Sequence, residues 1–114
     1  MELNISIHPG QSSFPISHWS NKKTSVSVRR GDDVLRELEI TRVSGLLVDV
    51  EGWECQLLEG LRQTLQANPP RWAIIECFDV ALENAGSSPR ELRSLIEEFG
   101  LTPTLKGGDL VCRT

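Results

Sequence analysis

Gly45-Leu46-Leu47-Val48-Asp49-Val50-Glu51-Gly52-Trp53-Glu54 is the stretch whose reading decides the fold. Gly45 to Val50 is apolar except for Asp49, the composition of a short strand buried on both faces. Gly52 breaks the run. Beyond it Trp53, Leu57, Leu58, Leu61 and Leu65 recur at helical spacing and draw one apolar stripe. The spacing predicts a helix opened by Trp53, with that indole in the core. Glu51 and Glu54 stand at its start, where the helix dipole favours negative charge. Gly60, in the middle of the same helix, costs about 1 kcal/mol relative to alanine. Close approach of the helix to a sheet is the expected compensation, and Asn68-Pro69-Pro70 stops the helix.

Downstream, Trp72-Ala73-Ile74-Ile75-Glu76-Cys77-Phe78 is a second nearly continuous apolar run and reads as another buried strand. A loop through Asn84, Gly86 and Ser87 follows. Ser88-Pro89-Arg90-Glu91 then starts a helix: Ser88 caps, Pro89 fits the first turn, and Glu91 completes a capping box. Leu92, Leu95, Ile96 and Phe99 form its stripe, and Gly100 suits a left-handed stop. Leu101 to Leu105 is a strand, Gly107-Gly108 a two-residue turn, and Leu110 to Cys112 the returning strand. Residues 45–114 thus spell two strand–helix–strand units and a hairpin. The fold class is α/β, a parallel sheet with right-handed crossovers and a C-terminal antiparallel hairpin.

The first 44 residues carry weaker signals. Glu2-Leu3-Asn4-Ile5-Ser6-Ile7 alternates polar and apolar side chains, as a half-buried strand does. His8 to Lys23 is rich in Ser, Pro and Gly and reads as a surface loop bearing Phe14, Ile16 and Trp19. Residues 24–29 alternate again. Asp32 or Asp33 begins a short helix through Val34, Leu35 and Leu38, so Arg30-Gly31-Asp32 is a loop into a helix start rather than an adhesion signal.

Composition narrows the function. The 114 residues are 39% hydrophobic and 25% charged, with nine glycines and six prolines, which fits one small globular domain spanning 1–114. Net charge is −4, and Lys22, Lys23, Arg29 and Arg30 form the one basic stretch. No nucleic-acid partner is expected of such a chain, because phosphate neutralisation supplies most of that affinity. No run of 18 apolar residues occurs, so no membrane span is expected. The N-terminus lacks a basic start followed by an apolar stretch, unlike a signal peptide. Cys55, Cys77 and Cys112 form no CxxC pair, and reduced, mostly buried thiols in a cytoplasmic protein are the expectation.

In an open parallel sheet, ligands bind at the carboxyl ends of the strands. That rule selects Asp49 and Glu51 after the first strand, and Glu76 and Asp79 near the end of the second. Adjacent strands lie about 4.8 Å apart, so these carboxylates share one edge. Such a cluster either raises a carboxyl pKa for general-base work or holds a hard divalent cation. The plainer alternative leaves Glu51 and Glu54 as helix-start decoration and Asp79 facing water. His8 and His18 are candidate acid–base or substrate groups, and Trp19 and Trp53 candidate stacking platforms, each weighed against a purely structural role. The sequence has no Gly-x-Ser-x-Gly turn, no phosphate loop and no Gly-x-Gly-x-x-Gly.

Leu46 to Glu54, followed by Leu57-Leu58-Glu59-Gly60, resembles FkbM-type methyltransferases: a hydrophobic strand, Asp-x-Glu-Gly-x-Glu, then a helix with Leu and Gly so spaced. Ala73-Ile74-Ile75-Glu76 is similar to the family's next strand, and Gly31-Asp32-Asp33-Val34-Leu35 to its short helix entry. The resemblance covers roughly residues 24–114. It implies a partial class I (Rossmann-like) fold that uses S-adenosylmethionine to methylate hydroxyls. By that analogy the chain supplies the fourth to seventh of seven strands, the C-terminal half. Asp49 would then line the donor side, and Glu51 and Glu76 the acceptor side, with Asp49 or Glu76 as base; His8 and Trp53 would contact substrate. The family's glycine-rich donor turn has no counterpart here, so the chain alone is expected not to bind the cofactor and to be inactive. A non-catalytic interaction scaffold is the rival reading. Either way the 45–50 strand, central in the family, is left with an open apolar edge. That edge is expected to dimerise, to meet a missing N-terminal half, or to be covered by the chain's own segment 2–7 or 24–29.

Overall fold

Over residues 27–114, the part of the chain described by the computed structural model, helices and strands alternate. They run α1 (Gly31–Glu37), β1 (Gly45–Val48), α2 (Glu54–Gly60), α3 (Arg62–Ala67), β2 (Trp72–Glu76), α4 (Asp79–Asn84), α5 (Pro89–Glu98), β3 (Thr102–Lys106) and β4 (Asp109–Arg113). The expected strands at 2–7 and over 24–26, and the loop 8–23, lie outside the described residues. Residues 27–30 carry no strand, so the last part of the expected 24–29 strand is not formed.

The four strands form one sheet in the order β1-β2-β4-β3. β1 and β2 are parallel, with Leu46 opposite Ala73 and Val48 opposite Ile75. β4 is antiparallel to both β2 and β3. β1, β2 and β3 therefore run the same way, as two strand–helix–strand units require, but β4 inserts between β2 and β3 instead of extending the sheet outward. Leu110 and Cys112 explain the insertion: both are fully buried, and a central position buries what an edge would expose.

One face of the sheet makes the core. Val48, Ala73, Ile75, Leu110 and Cys112 point to the side where Leu58, Leu65, Leu82, Leu92, Leu95, Ile96 and Phe99 pack from the helices. Each fully buried leucine or isoleucine there contributes about 1.5–3 kcal/mol. The opposite face is different. Leu47 is 75% exposed and Trp72 45% exposed, which corrects the expectation that β1 is buried on both sides. An apolar run fixes strand character but not the number of covered faces.

The helix expected from residue 53 is two helices. It breaks at Leu61, whose amide bonds the Leu58 carbonyl in a tightened turn, and α3 then restarts. Asp32, expected to start α1, supplies the new cap instead. Its buried carboxylate accepts from the amides of Gln63 (3.0 Å) and Thr64 (2.9 Å) and from the Thr64 hydroxyl (2.8 Å). Arg30 is the residue before α1 and offers no side-chain cap. Gly60 faces the start of α1 rather than the sheet: a Cβ on it would sit 3.4 Å from the Gly31 nitrogen. The loop expected after β2 contains the short helix α4. Ser88 caps α5 as read, its hydroxyl accepting from the Glu91 amide at 3.1 Å, and Gly100 ends that helix at a φ of 84°. Among the described residues no helix is long and apolar enough to cross a membrane.

Candidate functional site

The parallel pairing of β1 and β2 puts the ends of both strands side by side. Asp49 follows β1 directly, and Glu76 is the last residue of β2. Between β1 and α2 the chain turns sharply through Glu51 (φ 53°) and Gly52 (φ 102°), both in the left-handed region. That turn swings the Glu51 carboxylate back over the strand ends. One carboxylate oxygen from each of Asp49, Glu51 and Glu76 lies within 4.8 Å of the others. Asp49 is exposed, while Glu51 and Glu76 are half-buried.

Two packing features hold the turn. Gly52 lies on α4 so closely that a Cβ would sit 2.2 Å from the Ala81 carbonyl oxygen, which only glycine permits. Glu54 does the rest. Its carboxylate, 1% exposed, accepts from the Val50 amide at 3.0 Å and from the Gly52 amide at 3.0 and 3.3 Å. The acid expected to decorate a helix start is the clamp of the site-bearing turn. Its carboxyl is raised above the ordinary value by burial, against the pull of the backbone amides of Val50, Glu54 and Gly52, with the charge of Asp49 adding to the rise.

Glu76 is the most perturbed acid at the strand ends. Burial, first, and then a side-chain hydrogen bond with Asp49 and the charges of Asp49, Glu51 and Glu54 push its carboxyl up to about 7. With every carboxyl ionised, its Oε1 is buried and has no donor. A proton shared with Asp49 removes that cost, as in other pairs of carboxyl groups that occupy one site. The arrangement can therefore hold one proton near neutral pH, the condition a general acid or base requires. The same three oxygens have the spacing to surround a hard cation.

Of the other candidates, Trp53 stands at the mouth of the turn, before α2, and is 52% exposed. It does not open the buried stripe, which begins with Cys55 and Leu58. Phe78, just before α4, and Val80, in its first turn, are each 55% exposed and follow the end of β2 closely in sequence, an apolar pair not expected from the sequence. Asp79 is exposed, and His8 lies outside the described residues. Cys55 and Cys112 are buried and Cys77 half-buried, all unpaired, with burial pushing each thiol up. A separate cleft of about 200 Å³ between α2 and α5 is lined by Cys55, Glu59, Glu91, Leu95 and Glu98 and includes none of the strand-end acids.

Residues 3–101 match the family described as methyltransferase FkbM domain. The match begins upstream of the stretch on which the resemblance rested and stops before the final hairpin. No curated protein and no solved structure matches the chain.

Proposed function

The chain belongs to the FkbM methyltransferase domain family, and from that membership we propose that it carries the acceptor-side machinery of an S-adenosylmethionine-dependent O-methyltransferase. One observation carries the reading: Asp49, Glu51 and Glu76 bring carboxylate oxygens within 4.8 Å of one another at the parallel strand ends, where burial first and then Asp49 and Glu51 push the Glu76 carboxyl up to about 7. A base that must take a proton from an alcohol works best with a pKa near the operating pH. Asp49 is the exposed partner and Glu51 the outer wall. Trp53 and Phe78 supply apolar surface against which a ring can lie.

When bound, S-adenosylmethionine supplies an electrophilic methyl group on a cationic sulfur. The donor set suits only part of it. Three carboxylates favour a sulfonium, but no glycine-rich turn in the sequence offers backbone amides to the methionine end. The amides of Val50 and Gly52 are taken by Glu54. Donor binding is therefore assigned to residues beyond this chain, and no catalytic step of the donor is placed on it. What the chain's own residues do is orient a hydroxyl between Asp49 and Glu76 and accept its proton at Glu76.

Calorimetric titration of the chain with S-adenosylmethionine tests the assignment. No heat of binding is expected in the micromolar range. Micromolar affinity in the chain alone would overturn the separation of donor and acceptor sides. The rival reading, a non-catalytic scaffold, draws on the exposed Leu47 beside the outer edge of β1. It predicts a protein partner whose affinity is unchanged by Asp49→Asn and Glu76→Gln.

A further inference from the structure

The sheet carries opposite charges at its two ends. At the entry to the parallel strands lie Arg42, just before β1, and Arg71, whose amide bonds the Ser44 carbonyl at 2.8 Å. Arg113 of β4 joins them there, opposite Trp72. All three are exposed. At the exit lie Asp49, Glu51 and Glu76, with Asp109 opposite Glu76. Lys106, on β3 at the far edge of the sheet, is the exception. Among the described residues the outer edge of β1 has no strand partner, and an open edge beside apolar side chains recruits another strand.

This order of charges selects the partner. A second copy, related by a twofold axis normal to the sheet, meets the same edge antiparallel. Its basic entry then lies beside the acidic exit of the first copy, and the reverse holds at the other end of the contact. The exposed side chains choose the register. With both helix layers on one side, Leu47 must oppose a residue on the helix-free face. Gly45 is such a residue, and the Trp72 indole lies over it, leaving no room for a Cβ. Setting Leu47 opposite the copy's Gly45 seats an aliphatic chain that is 75% exposed beside an indole that is 45% exposed. The same register puts Arg42 opposite Val50, next to the copy's Asp49.

We infer that the chain dimerises by antiparallel pairing of β1 with β1 of a second copy, the basic entry of each sheet meeting the acidic exit of the other. The inference does not depend on the chemistry proposed for the strand ends.

Analytical ultracentrifugation of the full chain over about 1–500 μM tests it. The contact is short and stands at the low end of specific interfaces, so a dissociation constant of about 1–100 μM is expected. Raising salt from about 0.05 to about 0.5 M weakens the dimer at least about fivefold. Arg42→Glu and Asp49→Lys each weaken it at least about tenfold, while protected amides in α5 show that the fold holds. Mixed in equal amounts, the two variants associate within about threefold of the parent affinity, because one contact is native and the other has both charges exchanged. Hydrogen exchange of a peptide covering 45–48 slows as protein concentration rises. A chain that stays monomeric to about 500 μM overturns the inference. So does a dimer indifferent to both substitutions, or a pair of variants that fails to associate on mixing. Protection of 45–48 already complete in dilute monomer does so too, since the edge is then covered within one chain.

Discussion

Replacing Glu76 with Gln should make the protein more stable at alkaline pH while changing little in acid. The carboxyl moves from its ordinary 4.5 to about 7 on folding, because burial and the neighbouring acids oppose its ionisation. Below pH 4.5 it is neutral in both folded and unfolded chains. As pH rises from 4.5 to 7 the unfolded chain gives up this proton while the folded chain keeps it, so stability falls through that window and the loss is complete above it. The full displacement corresponds to roughly 3 kcal/mol. Asp49 is exposed, and water reaching the pair screens the repulsion, leaving about 1–2 kcal/mol. Glutamine cannot ionise, and its amide can donate to Asp49. Urea denaturation of both proteins at about pH 4 and about pH 8 measures the effect, with the midpoint shifting and the slope unchanged. The variant should match or slightly trail the parent in acid and exceed it by about 1–2 kcal/mol in base. A difference of the same size at both pH values would refute the raised proton affinity of Glu76. A variant less stable than its parent in base would do so too.

Gly52→Ala should destabilise by about 2–4 kcal/mol in the same denaturation assay, because the new methyl meets the Ala81 carbonyl and the residue holds a left-handed φ. Asp32→Ala should cost about 2 kcal/mol by removing the buried cap of α3. Burial opposes the charge of Asp32, but the bonds from Thr64 and Gln63 and the nearby Arg30 outweigh it and hold the carboxyl below 3.8. Its contribution is therefore present above that pH and lost on acidification, and the Ala variant should show a shallower acid unfolding profile below about pH 4. Ser88→Ala should lower the midpoint by the equivalent of about 1 kcal/mol, read by thermal or urea unfolding, through loss of the Glu91 amide bond at the start of α5.

The strands, and the meeting of Asp49, Glu51 and Glu76, were legible because they depend on local pattern: apolar runs of strand length, an intervening helix, and hence parallel neighbours whose ends coincide. Ser88 was legible for the same reason, its partner being three residues away. What stayed hidden was set by contacts remote in sequence or by side chains whose type suggests another role. Asp32 looked like a cap for the helix it sits in, whereas the amides it satisfies are 31 and 32 residues downstream. Glu54 looked like a surface acid at a helix start, although it folds back on the turn just before it. α4 buries only Ala81 and Leu82, too few residues to draw a stripe. Leu47 belongs to a run that suits a doubly covered strand, and only the arrangement of the helices reveals that, among the described residues, one side lacks a cover.

Because Glu54 engages the amides of Val50 and Gly52, the tip of β1 presents acceptors to a visitor and keeps these two donors for itself. In the acceptor site proposed above, charge selection would follow from these acceptors. A neutral polyol or a cationic group finds lone pairs to satisfy there, whereas a sugar phosphate or a carboxylic acid brings more lone pairs to a place already crowded with them. Under the proposed function, the clamp that shapes the loop would thereby also filter what the loop can greet.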